Sequence, residues 1–143
     1  MVAILESGGT KMVAALSRGP GEIIAHEKIP TTTPGETIHR LVEFFEREQS
    51  AHGKAEALAI GTFGPADLEV GSATYGFITS TPKLGWSQTD LLGPLRKAIA
   101  DVPVVFEARR AHAESCVRGQ SLTNNVRGMT HGQVRAAGLG QNH

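Results

Sequence analysis

Val2-Ala3-Ile4-Leu5-Glu6-Ser7-Gly8-Gly9-Thr10-Lys11-Met12-Val13-Ala14-Ala15-Leu16 opens the chain and sets its architecture. Two apolar runs, Val2–Leu5 and Met12–Leu16, flank the turn residues Glu6-Ser7-Gly8-Gly9. A second turn, Arg18-Gly19-Pro20-Gly21, leads into a third run from Ile23-Ile24-Ala25 to Ile29. Runs this close, joined by turns this short, pair only antiparallel, so the chain begins as a three-strand meander.

Helical spacing follows. Thr33-Pro34-Gly35-Glu36 reads as a capping box, with Thr33 at the cap, Pro34 at the first helical position and Glu36 reaching back. Ile38, Leu41, Val42 and Phe45 then recur at i, i+3, i+4 and i+7, a stripe that faces a sheet. The helix should fade before Gly53. Glu56 to Phe63 is nearly continuous in apolar residues, as in a strand buried on both faces, and it ends at Gly64-Pro65. A polar loop from Asp67 to Trp86 leads to a second helix near Asp90 to Ala100, with Leu92, Leu95 and Ile99 on its apolar side. Pro94 marks its first turn. Val102 to Phe106 is a last strand. The order β-β-β-α-β-α-β predicts an α/β fold with a mixed sheet and helices on its faces. It resembles the order of ribonuclease H-like domains, which include the nucleotide-binding lobes of sugar kinases and actin. Residues 1–107 form this unit. Residues 108–143 show neither period and read as a divergent, poorly ordered tail.

Composition narrows the function. The 143 residues carry 14 Lys+Arg and 14 Asp+Glu, a balance that argues against nucleic acid or an anionic membrane as partner. A lone cysteine, Cys116, excludes an intrachain disulfide and suits a reducing compartment. No stretch approaches the ~20 apolar residues of a membrane span, so the chain reads as a cytoplasmic protein. Its histidines (His26, His39, His52, His112, His131, His143) share no metal-ligand spacing with cysteines or acids, which speaks against zinc.

Three stretches could carry chemistry. In Glu6 to Lys11 the glycines let backbone N–H groups face a phosphate, and Thr10 and Lys11 add a hydroxyl and a charge. An ordinary hairpin turn reads the same way. Gly61-Thr62-Phe63-Gly64-Pro65-Ala66-Asp67 closes the buried strand at its carboxyl end, where open α/β sheets bind ligands, although a plain strand-ending turn would also suit it. From Thr74 to Trp86 the chain gathers hydroxyls, Lys83 and its only Tyr and Trp. These suit a polyol, with rings stacking on its C–H faces. They equally suit a surface loop pinned by Trp86. Among the acids that might serve as base, Asp90 reads as a helix cap and Asp101 as a turn residue; Asp67 and Glu107 remain.

Together these stretches resemble the fructokinase branch of the ROK (repressor, ORF, kinase) sugar kinases. The resemblance rests on Leu5-Glu6-Ser7-Gly8-Gly9-Thr10-Lys11, Ile60 to Asp67 and Thr74 to Trp86, with Pro30-Thr31-Thr32-Thr33-Pro34 and Val102-Pro103-Val104 also fitting. It covers residues 2 to 107, about half of a member. It implies that Gly8, Gly9, Thr10 and Lys11 approach the phosphates of magnesium-ATP, with Glu6 near the magnesium. Gly64, Pro65, Thr79, Thr81 and Lys83 would line the cleft for a hexose, fructose first. The implied reaction moves the γ-phosphoryl of ATP to the 6-hydroxyl of fructose, an aspartate acting as base. Dimerisation is common in the family, so the resemblance also implies a homodimer as one state open to the full-length protein.

One departure matters. The family places its base in Thr-Asp-Val-Asn-Ala-Ala after the last strand, whereas this chain reads Glu107-Ala108-Arg109-Arg110-Ala111-His112, and no aspartate follows Asp101. Arginine cannot accept a proton at neutral pH. The family's zinc-binding cluster and second lobe have no counterpart in this sequence. The expectation is a truncated kinase lobe, inactive alone. A non-catalytic sugar- or nucleotide-binding module akin to the ROK repressors is the alternative, and a fragment without function is the third reading.

Overall fold

A computed structural model of the chain describes residues 1–19, 21–100 and 102–109. The opening runs become β1 (Val2–Ser7), β2 (Lys11–Gly19) and β3 (Glu22–Pro30), followed by helix α1 (Pro34–His52) and strand β4 (Ala57–Phe63). A two-residue ribbon, β5 (Phe77–Ile78) and β6 (Thr89–Asp90), precedes helix α2 (Leu92–Ala98) and strand β7 (Val104–Arg109). The main sheet runs β3-β2-β1-β4-β7. The meander pairs antiparallel as expected, while β1, β4 and β7 run parallel, so their carboxyl ends share one edge.

Both helices contribute to the larger apolar cluster. Leu5, Ile60 and Phe106 project into it from the sheet; Leu41, Phe44 and Leu95 meet them from α1 and α2. Ile4, Ala15, Ala59 and Val105 alternate onto the opposite face in a second cluster. Burial of whole Leu, Ile and Phe side chains stabilises by roughly 1.5–3 kcal/mol each, so this two-faced strand pattern dominates the fold.

Four local expectations change. In α1 the fully buried face is Thr37, Leu41, Phe44 and Phe45, while Ile38 and Val42 are only partly covered. The stripe is rotated because Thr37 has internal partners: its hydroxyl donates to the Pro30 carbonyl at 3.2 Å and accepts from the Thr32 N–H at 2.9 Å. Thr33 does cap, its Oγ1 accepting the Glu36 N–H at 3.3 Å. Glu36, however, accepts from the Thr32 hydroxyl at 2.9 Å, so the reciprocal half of the capping box is absent. Helix α2 is shorter than Asp90–Ala100, and Pro94 is its third residue. Asp90 still serves that helix from β6, its Oδ1 accepting the Gly93 N–H at 2.8 Å. Finally, β7 runs past Phe106 to Arg109, held by pairing with Gly61, Thr62 and Phe63. The tail beyond Arg109, with Arg110, His112 and Cys116, lies outside the described residues, as do Pro20 and Asp101.

Candidate functional site

The carboxyl edge of the three parallel strands gathers most of the residues singled out from the sequence. The sheet register aligns Ser7 of β1 with Thr62 of β4 and Thr62 with Ala108 of β7. Glu6, Gly61 and Glu107 form the row just before them. The hairpin Gly8–Thr10, the Gly64-Pro65 turn and the Ala108-Arg109 strand end therefore leave the sheet side by side.

The hairpin is built tightly on one side and left open on the other. Its turn is closed by the Gly8 N–H, which donates to the Lys11 carbonyl at 3.1 Å. A Cβ on Gly8 would lie 2.8 Å from that same carbonyl oxygen, so the turn itself requires glycine there. Gly9 differs: a Cβ would meet nothing within 4 Å, and its N–H has no partner among the described residues. Lys11 is exposed at the start of β2 and forms no ion pair among the described residues. An open backbone N–H, an exposed ammonium and the Thr10 hydroxyl suit a phosphate. Below the turn, the buried Thr62 hydroxyl lies 3.3 Å from Ser7 Oγ and donates to the Phe63 carbonyl at 2.9 Å.

At the neighbouring turn the Gly64-Pro65 peptide is cis. The Pro65 carbonyl accepts both the N–H of Thr79 at 3.0 Å and its hydroxyl at 3.1 Å. Gly64, Pro65 and Thr79 thus form one unit. A Cβ on Gly64 would sit 3.4 Å from the Ala108 Cβ, which puts the stretch lacking the acid directly against this turn. Thr81 and Lys83 are not joined to it by any hydrogen bond among the described residues; the Thr81 hydroxyl accepts the Lys83 N–H within their own loop.

The aromatic residues of this loop face inward. Trp86 is fully buried, its indole N–H donating to the Thr32 carbonyl at 2.8 Å and its ring meeting Phe63 edge-on at 5.8 Å. Tyr75 packs edge-on against Phe106 at 5.9 Å. Burial pushes its phenol up, and nearby Arg96 opposes this. The expected polyol-stacking rings are core anchors, and the pinned-loop reading is the correct one for them.

Asp67 is equally engaged. One carboxylate oxygen accepts the hydroxyls of Ser72 and Thr74, both at 2.6 Å, and the other accepts the Glu69 N–H at 3.0 Å. Those bonds, led by the one from Ser72, hold its carboxyl below the ordinary aspartate value. Such an acid closes a loop and makes a poor general base. Among the described residues no three His, Cys, Asp or Glu side chains converge to hold a metal. A magnesium ion here would take Glu6 at most and complete its shell with phosphate and water oxygens, as magnesium usually does.

A family model described as ROK matches residues 2–132, well past the Glu107 limit expected from the motifs. The chain belongs to the ROK family. It is 43% identical over 102 residues to a fructokinase of Lactococcus lactis subsp. cremoris, covering 71% of this chain and 33% of that protein. Against a fructokinase of Pediococcus pentosaceus the identity is 33% over 147 aligned positions, 100% of this chain and 49% of the other. The chain thus spans a third to a half of the length of these relatives. A ROK family glucokinase from Streptomyces griseus, solved with glucose and AMPPNP, superposes with a TM-score of 0.52 at 23% identity, covering 75% of this chain and 32% of that one. A ROK family transcriptional regulator, a homolog of the E. coli MLC protein, gives 0.54 at 20%, covering 75% and 28%. These likenesses establish the fold, an actin- and hexokinase-like ROK lobe of the ribonuclease H type. No helix among the described residues is long and apolar enough to cross a membrane.

Thr31 was not singled out as a site residue by the sequence. It is buried, and its hydroxyl donates to the Gly8 carbonyl at 2.7 Å while its N–H donates to the Thr10 carbonyl at 3.0 Å. Its one sequence signal is its place in Pro30-Thr31-Thr32-Thr33-Pro34, a stretch that fits the ROK resemblance and in which Thr33 alone reads as the helix cap.

Proposed function

We propose that this chain is the N-terminal lobe of a cytoplasmic fructokinase-type sugar kinase, which meets the phosphates of magnesium-ATP and a hexose without transferring the phosphoryl group by itself. The observation that carries the reading is the convergence, in a ROK fold, of the open hairpin, the Gly64-Pro65 turn and the Ala108-Arg109 strand end at one sheet edge. Gly9, Thr10 and Lys11 take the phosphates, Glu6 sits toward the magnesium, and Gly64, Pro65 and Thr79 face the hexose. Thr81 and Lys83 belong to the same loop but lie farther along it.

Transfer to the 6-hydroxyl of fructose forms a P–O bond at that oxygen and breaks the bridging bond to the β-phosphate, while the hydroxyl proton leaves to a base. Where the base belongs, β7 ends in Ala108 and Arg109. Asp67 already accepts three hydrogen bonds in its own loop. The arginine favours the second reading as well, a module that binds sugar or nucleotide and does not turn over, as in the repressors of this family.

The test is release of ADP by the purified chain from magnesium-ATP, with and without fructose, beside calorimetric titration of each ligand. We expect nucleotide binding and no fructose-dependent ADP. Fructose-dependent turnover would overturn the missing-base argument and direct mutation to Glu107 first. A chain that aggregates and binds neither ligand would support the reading of a fragment without function.

A further inference from the structure

We propose that Thr31 and Thr32 form a strap that couples the phosphate-facing hairpin to the hexose-facing loop, with Thr31 acting as a positioning residue for the hairpin. The proposal rests on the nucleotide reading of the hairpin given above. Its substance is geometric. Two bonds from Thr31 reach the hairpin on both sides of Gly9: the hydroxyl to the Gly8 carbonyl at 2.7 Å and the N–H to the Thr10 carbonyl at 3.0 Å. Gly9 is thereby bracketed between two anchored carbonyls while its own N–H stays open. The next residue, Thr32, accepts the Trp86 indole N–H at 2.8 Å, and Trp86 is the buried residue that ends the loop carrying Thr79, Thr81 and Lys83. Thr32 also gives its N–H to Thr37 and its hydroxyl to Glu36, which fixes the strap to the first turn of α1.

Five bonded groups on two consecutive residues therefore join three segments far apart in sequence: residues 8–10, the start of α1, and Trp86. A hydrogen bond from a buried hydroxyl to a carbonyl is short and directional, and its loss leaves a carbonyl without its donor. A ligand that tightens or shifts the hairpin pulls on Thr31, and the rigid attachment at Thr32 passes the change to Trp86. Since Trp86 is the single tryptophan, its fluorescence reads that movement directly.

The test uses the whole chain and the variants Thr31→Val, Thr31→Ser and Trp86→Phe. Exchange of the Gly8 amide, the Thr31 amide and the Trp86 indole proton is followed by NMR, and magnesium-ATP affinity by calorimetry. Val keeps the shape of Thr31 without its donor. We expect it to speed Gly8 exchange and weaken magnesium-ATP about tenfold, the ratio that a lost hydrogen bond of about 1.4 kcal/mol gives. Ser should restore both. Trp86→Phe keeps a ring but loses the bond to Thr32, and should speed exchange of the Thr31 amide. A Val variant with unchanged Gly8 exchange overturns the positioning role, as does a Ser variant as weak as Val. A Phe variant that leaves exchange of the Thr31 amide unchanged overturns the coupling. If the wild-type chain shows no affinity for magnesium-ATP, the nucleotide reading fails, while the exchange measurements still decide whether the strap links hairpin and loop.

Discussion

The hairpin at Gly8–Thr10 and the loop from Asp67 to Trp86 leave the same sheet edge, yet they use their polar groups in opposite ways. The loop is the richer in hydroxyls and aromatic rings, and it turns nearly all of them on itself. Ser72 and Thr74 donate to Asp67, Thr79 donates to Pro65, and Trp86 and Tyr75 are packed against the core. The hairpin has little to offer by composition, Thr10 and the adjoining Lys11, but the Gly9 N–H and the Lys11 ammonium are left without protein partners among the described residues. The difference teaches that a polar segment becomes a site by what it leaves unsatisfied. A list of suitable side chains says much less.

The sharpest way to break this comparison is Trp86→Ala. If the loop is a pinned structure, removing its fully buried anchor and the donor to Thr32 should cost about 3–5 kcal/mol, a large share of the roughly 5–15 kcal/mol of a whole domain. Chemical denaturation measures it. A loss below about 1 kcal/mol, the range of an ordinary surface change, would mean that the loop is not anchored through Trp86 and that its rings are available to a ligand after all.

Next in size is the contrast between two adjacent glycines. Gly8→Ala drives a methyl to 2.8 Å from the Lys11 carbonyl oxygen and should destabilise by about 1–3 kcal/mol. Gly9→Ala has open space around it and should change stability by less than about 0.5 kcal/mol. Its effect should appear in magnesium-ATP binding, since the added methyl occupies the approach to the open N–H. Equal losses of stability at the two positions, with nucleotide affinity retained in Gly9→Ala, would reduce the hairpin to a plain turn.

Much of the fold was legible because it is written in runs and periods. The meander followed from three apolar segments and two glycine turns, and the buried parallel strand from Ala57 to Phe63 followed from its unbroken hydrophobicity. Local patterns could not show partners distant in sequence. Phe44 and Thr37 were missed on the buried face of α1, because Thr37 is satisfied by Pro30 and Thr32 outside the helix. The ribbon of β5 and β6 has two residues per strand, too few for an alternation to be seen. Of the site, the hairpin and the Gly64-Pro65 turn were found as motifs. Thr31 was not, since its role depends on bonds spanning more than twenty residues of chain. Asp67 looked like a spare acid until the hydroxyls of Ser72 and Thr74 were placed on it.

Asp67 gives the smallest effect and a direct reading of the loop's internal bonding. Its carboxyl is held below the ordinary value of 3.8 by donors that the charged form accepts. The contribution is therefore fully present above about pH 4, where the unfolded group is ionised, and is lost as the pH falls through the lower folded value. Because the group faces solvent, the change should leave global stability nearly untouched and appear locally. Carbon NMR of the Asp67 carboxyl should titrate with a midpoint below 3.8, and the Gly76 amide, which donates to the Asp67 carbonyl, should shift over the same range. Asp67→Asn should remove that titration while the Trp86 indole signal stays in place. A carboxyl that titrates at or above its ordinary value would show that the hydroxyls of Ser72 and Thr74 are not committed to it. They would then be free to meet a sugar, and the contrast between a self-satisfied loop and an open hairpin would no longer separate scaffold from site.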